Sequence, residues 1–159
     1  MNTIAEMPDD ARIWIYQCNR ILSTQEMESI NAMGATFIEQ WTAHGKSMRA
    51  AIEWRHNRFL VLAADEHAAE ASGCSIDKSV AFIMGLEKQF DIRLLDRITI
   101  AYRNQNNDIQ TAPFQEVKAQ IKEGVLSRDT IIFNNMVSTK KDLDEAWEIA
   151  LGNSWLMHS

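Results

Sequence analysis

The chain has 159 residues, a formal net charge of −6 and two cysteines. At that length one ordinary domain buries roughly 70% of its unfolded surface, and no apolar run approaches the ~20 residues of a membrane span. Basic residues scattered among acids argue against nucleic acid, and the widely spaced Cys18 and Cys74 argue against a disulfide framework.

Residues 1–11 read as an N-terminal tail without the basic and apolar regions of a signal peptide, so a cytoplasmic location is expected. Residues 12–152 read as a single α+β domain and residues 153–159 as a C-terminal tail. Arg12 to Cys18, rich in β-branched and aromatic side chains, predicts a first strand. Ser23 to Glu26 has the capping-box pattern that opens a helix. Its inner face would carry Met27, Ile30, Gly34, Phe37 and Trp41, and Gly45 would end it. Period-two alternation from Met48 to Arg55 predicts a strand with one polar face. After a turn at His56 and Asn57, the run from Phe59 to Ala64 is apolar on both faces and should be the central partner of a hairpin.

A small-residue stretch, Glu66 to Gly73, leads to Ser75, the expected cap of a second helix with Ile76, Val80, Ile83, Leu86 and Phe90 inside. Arg97 to Arg103 alternates again and completes a βαββαβ order, the ferredoxin-like arrangement of two helices on one face of an antiparallel sheet. Asn104 to Asp108 reads as a turn, and Pro113 begins a short helix ended by Gly124. Thr130 to Val137 reads as a strand. Thr139 and Asp142 cap a last helix carrying Leu143, Ala146, Trp147 and Ala150. This αβα extension is expected to lengthen the same sheet, and the Trp155-Leu156-Met157 tail to pack back on the domain or meet another chain. Trp14, Ile15, Phe37, Trp41, Trp54, Leu60, Leu62, Ile83, Ile100 and Trp147 are the expected core.

Gly45-Lys46-Ser47 matches the end of a phosphate-binding loop, yet the glycine such a loop needs five residues earlier is Gln40. A helix also precedes the motif where a strand should, so no helix N-terminus faces the phosphate. Phe59 to Glu66, an apolar strand with two terminal acids, has the look of a Walker B strand. With Trp14-Ile15-Tyr16-Gln17, Trp41-Thr42-Ala43-His44-Gly45-Lys46, Asn57-Arg58-Phe59-Leu60 and Ser72-Gly73-Cys74-Ser75-Ile76-Asp77-Lys78, the chain resembles a family of small uncharacterised bacterial proteins labelled "ABC transporter ATPase". The resemblance implies a bacterial origin and a shared fold, while the label supplies no established activity. The order of motifs is wrong for a transporter ATPase, and ATP hydrolysis is not expected.

Two polar groupings remain. Ser72, Gly73, Cys74, Ser75, Asp77 and Lys78 run from a loop into a helix start, where the dipole lowers a thiol pKa; Cys74 is the candidate nucleophile of a cysteine-dependent enzyme or redox sensor. Asp77 opposes a thiolate there, and helix capping with an inert buried cysteine explains the same residues. His44, Arg55, Arg58 and Asp65 are ligand-binding candidates, but the hairpin places both arginines at one end and Asp65 at the other. His67, beside Asp65 and Glu66, has no second histidine at a ligand spacing, so neither a metal nor a cofactor is expected. The leading expectation is a binding module for a small ligand or a protein partner, with a homodimer as the assembly such folds allow, without ATPase activity.

Overall fold

The structure, a computed structural model, describes residues 3–42, 49–67 and 73–157. Its first sheet contains β1 (Arg12–Gln17), β2 (Arg49–Arg55) and β3 (Phe59–Asp65) in the antiparallel order β1-β3-β2. Every residue of β3 is buried, as a strand apolar on both faces requires. The β2–β3 hairpin closes through His56 and Asn57, both at φ 56°, with the Arg58 N–H donating to the Arg55 carbonyl at 3.1 Å. Positive φ at both central residues marks the turn whose twist suits a hairpin, and asparagine tolerates it.

Helices α1 (Thr24–Thr42) and α2 (Gly73–Phe90) cover one face of this sheet. The capping box forms in full: Glu26 N–H donates to Ser23 Oγ at 3.1 Å, and Ser23 N–H to Glu26 Oε1 at 3.0 Å. Arg20 grips the same carboxylate and donates to the Phe90 carbonyl, tying the start of α1 to the end of α2. A Cβ at Gly34 would stand 2.9 Å from Ile52 Cγ2, so glycine sets how closely α1 approaches β2. Ser75 lies inside α2 and does not cap it; its carbonyl accepts from Trp41 Nε1 at 2.8 Å.

The other face is covered by a second sheet of β4 (Thr99–Arg103), β5 (Ile109–Pro113), β6 (Ile131–Phe133) and β7 (Glu148–Ala150), ordered β5-β4-β6-β7. The fourth strand of the βαββαβ order therefore does not extend the first sheet. The β1 edge is occupied: Ile13 N–H donates to the Ser138 carbonyl at 2.9 Å, Arg12 bridges Thr139, and Arg97 Nη1 donates to the Ile15 carbonyl at 3.0 Å. Ile13, Ile15, Phe59 and Val61 meet Ala101, Phe133 and Trp147 between the sheets. The outer face of the second sheet packs Ile100, Ala112 and Ile132 against α3 (Phe114–Lys122) and the C-terminal turns. The result is a four-layer α-β-β-α sandwich in the α+β class.

Boundaries in the second half of the chain differ from the sequence reading. Ile109–Pro113 is a strand, Thr130–Val137 shortens to Ile131–Phe133, and the last helix, α4 (Lys140–Ala146), stops before Trp147 so that Glu148–Ala150 can pair with β6. The tail folds back, burying Leu156. Of the expected core, Ile15, Trp41, Leu60, Leu62, Ile83, Ile100 and Trp147 are buried; Trp14, Phe37 and Trp54 are half-buried against it. No helix among the described residues is long and apolar enough to cross a membrane.

Phe59 contacts Phe133 and Trp147, each at 4.9 Å between ring centroids, so Phe59→Ala should cost about 3–5 kcal/mol in urea unfolding. A loss no larger than that of exposed Met84→Ala would overturn the inter-sheet packing. The Arg20 and Ser23 hydrogen bonds lower the Glu26 pKa to about 2. A depressed carboxylate contributes stability above its unfolded pKa of ~4.3, lost as pH falls towards the folded value. Glu26→Gln should therefore flatten the acid limb of stability between about pH 4 and pH 2; an NMR titration placing the carboxyl near 4.3 contradicts this.

Candidate functional site

The candidates at the hairpin separate as their register dictates. Arg55 pairs with Phe59 and Arg49 with Asp65, putting Arg55 and Asp65 at opposite ends of the hairpin. Arg58 Nη1 lies 3.4 Å from Thr111 Oγ1 on β5. Asp65 Oδ2 accepts from Arg49 Nη2 at 2.7 Å and Oδ1 from the His67 N–H at 3.1 Å; the Arg49 bond is the main cause of its lowered pKa. The His67 ring spans two carboxylates, with Nδ1 3.2 Å from Asp65 Oδ1 and Nε2 2.9 Å from Asp10 Oδ2. This cluster fastens the end of β3 to the N-terminal segment. Among the described residues, no group of three or more His, Cys, Asp or Glu side chains is placed to hold a metal ion.

His44, the Gly45-Lys46-Ser47 motif and Ser72 lie outside the described residues. Gly73 and Cys74 fall in the first turn of α2, and the Cys74 side chain is likewise outside what is described. Asp77 and Lys78 are on the exposed side of that helix. Cys18 is a buried free thiol, and burial raises its pKa.

The site that emerges was not among these candidates. β4 and β6 pair at one position, Tyr102 with Ile132. Beyond it the chain turns at Asn134, whose carbonyl accepts from Val137 N–H at 3.3 Å, and the strands part. The gap is a slot of about 450 Å³, within the range of small-ligand pockets. Phe133 and Ile100 come from the cores on either side of the second sheet, while Phe114 and Trp155 add aromatic walls. Ile98 and Met136 at the slot are 67% and 68% exposed, two large apolar side chains at one opening.

Polar groups around the slot are tied to one another. Trp147 Nε1 donates to Asn135 Oδ1 at 2.8 Å, Asn135 Nδ2 to Gln17 Oε1 at 2.9 Å, and Gln17 Nε2 to the Thr99 carbonyl at 3.3 Å. An indole N–H only donates and a backbone carbonyl only accepts, so both ends of this relay dictate the same amide orientations. Asp96 is also committed: Oδ1 accepts from Ile98 N–H at 2.7 Å and Oδ2 from Thr99 Oγ1 at 2.9 Å, lowering its pKa, with the Ile98 bond the largest cause. Arg97 lines the slot as well.

Two further hollows offer less. One, about 590 Å³, lies along Lys118 and Lys122 on α3; the other, about 460 Å³, is lined by Ala32, Met33, Thr36 and Gln40 of α1 with the stacked rings of Phe37 and Phe82. Neither joins two core clusters or carries an internally satisfied polar network beside exposed apolar groups. The fold and slot together define a four-layer α+β sandwich with a small-ligand-sized opening in one sheet. Compared with protein-family models, curated proteins and solved structures, the chain matches none.

Asn135→Ala would leave the Trp147 N–H and the Gln17 carbonyl without their partners, at about 1–3 kcal/mol for each buried group. Urea unfolding should show a loss of at least ~1 kcal/mol, against less than about 0.5 kcal/mol for exposed Met136→Ala. Equal effects would mean that the relay contributes nothing.

Proposed function

We propose that the chain is a binding module for a small apolar ligand, seated in the slot between β4 and β6. The observation that carries this reading is the exposure of Ile98 and Met136 at an opening that reaches Phe133 between the sheets. Isolated exposed apolar side chains need no explanation, but two beside a concave, aromatic-walled slot are what a ligand would cover. Binding is favoured over turnover by the state of the polar groups. Asp96 has both oxygens engaged and the Asn135 amide is bonded through both its oxygen and its nitrogen, leaving no activated nucleophile and base among the described lining residues. A reduced, cytoplasmic setting accords with the free thiol of Cys18.

The neutral fluorophore N-phenyl-1-naphthylamine tests this reading. Folded protein should bind it saturably with one-to-one stoichiometry and enhanced emission. Ile98→Gln and Met136→Gln should each weaken binding roughly threefold to tenfold, by removing apolar area from the contact. Met84→Gln, an exposed apolar position on α2 away from the slot, should leave it unchanged. Absence of saturable binding, or binding equally strong in both slot variants, would sink the proposal.

A further inference from the structure

We infer that the ligand of this slot carries an anionic group beside its apolar body, with the Arg97 guanidinium as counter-charge; this rests on the slot being the ligand site. Three observations on Arg97 carry the inference. It lines the slot, it is exposed, and it forms no ion pair among the described residues. Its side-chain hydrogen bond among the described residues, from Nη1 to the Ile15 carbonyl at 3.0 Å, uses a single donor of the five that a guanidinium offers.

That bond and the Tyr16 ring, 5.9 Å from the guanidinium carbon, hold the group at the edge of β1. An arginine fixed in this way loses less freedom on binding an anion than one on a mobile stem. The neighbouring acid cannot serve in the ligand's place. Both oxygens of Asp96 are turned to Ile98 N–H and Thr99 Oγ1, and the cation acting on that carboxylate is Arg93. The slot thus presents apolar walls and one cation whose remaining donors have no acidic partner among the described residues. A carboxylate or sulfonate on an aromatic or branched aliphatic body fits that pairing, because charge-assisted hydrogen bonds to a guanidinium are the strong ones.

The test compares two probes of nearly the same shape: neutral N-phenyl-1-naphthylamine and its sulfonated counterpart, 1-anilinonaphthalene-8-sulfonate. Wild-type protein should bind the sulfonate roughly fivefold or more tightly than the neutral probe, and this preference should shrink as salt rises from 0.05 to 0.5 M. Arg97→Gln should abolish the preference, bringing the two affinities to a ratio of about one, and Arg97→Lys should restore part of it. Retained neutral-probe binding by Arg97→Gln also shows that loss of the Ile15 bond has not collapsed the slot. If the neutral probe binds but the sulfonate gains nothing, or if its gain survives in Arg97→Gln, the anion inference fails and the slot reading stands. If neither probe binds, the slot reading itself falls.

Discussion

The packing of Phe59 against Phe133 and Trp147 is the contact on which the rest of the architecture turns. β3 is apolar on both faces, so a single helix-covered sheet would leave Phe59, Val61 and Ala63 in water. The second sheet covers them. Its β6 strand ends on Phe133, and Trp147 stands between α4 and β7, so one aromatic cluster locates both the β6–β7 pair and the last helix. His56, in the hairpin turn, lies 5.6 Å from Trp147 and closes the end of the cluster; burial lowers its pKa and favours the neutral ring.

The slot follows from the same contact. Phe133 is held inward by the aromatic cluster, and the chain must then leave the sheet to reach Thr139, which bridges Arg12 at the β1 edge. β6 therefore cannot stay beside β4 beyond Phe133. The backbone and side-chain polar groups freed where the strands part would be costly to bury alone. Gln17, Asn135 and the Trp147 N–H satisfy one another there and end on the Thr99 carbonyl. Each nitrogen and oxygen of the relay has a partner within the chain, so the proposed ligand would be held by apolar area and by Arg97.

Much of the local structure was legible in the sequence because it depends on near neighbours. The capping box at Ser23 and Glu26, the hairpin turn at His56 and Asn57, the Thr139 cap and the stop at Gly124 (φ +77°) all formed as their residue types require. Strands β5 and β7 were missed for the opposite reason. Ile109–Pro113 ends in proline and has one fully buried residue, while Glu148–Ala150 is three residues long; each is a strand by virtue of its partner. The expectation of one extended sheet failed although a signal against it was present. A strand apolar on both faces calls for two covers, and the two helices of the expected βαββαβ unit both lie on one.

The site was harder to read than the fold because its residues are far apart in sequence and ordinary by type. Gln17 and Asn135 are 118 positions apart, and neither belongs to a chemical motif. The motifs that drew attention, a GKS run and a cysteine at a helix start, are locally recognisable, whereas this slot is made by two strands failing to remain paired. What could have pointed to it is the combination of Asn134, Asn135 and Met136 directly after Phe133: turn-forming amides, then a large apolar residue with no strand left to bury it. A sequence that ends a core strand with amides and then exposes a methionine has put apolar surface where packing does not demand it. Here that methionine stands at an aromatic-walled slot beside a second exposed apolar side chain, Ile98, and it is this juxtaposition, not the exposure alone, that the proposed ligand would explain.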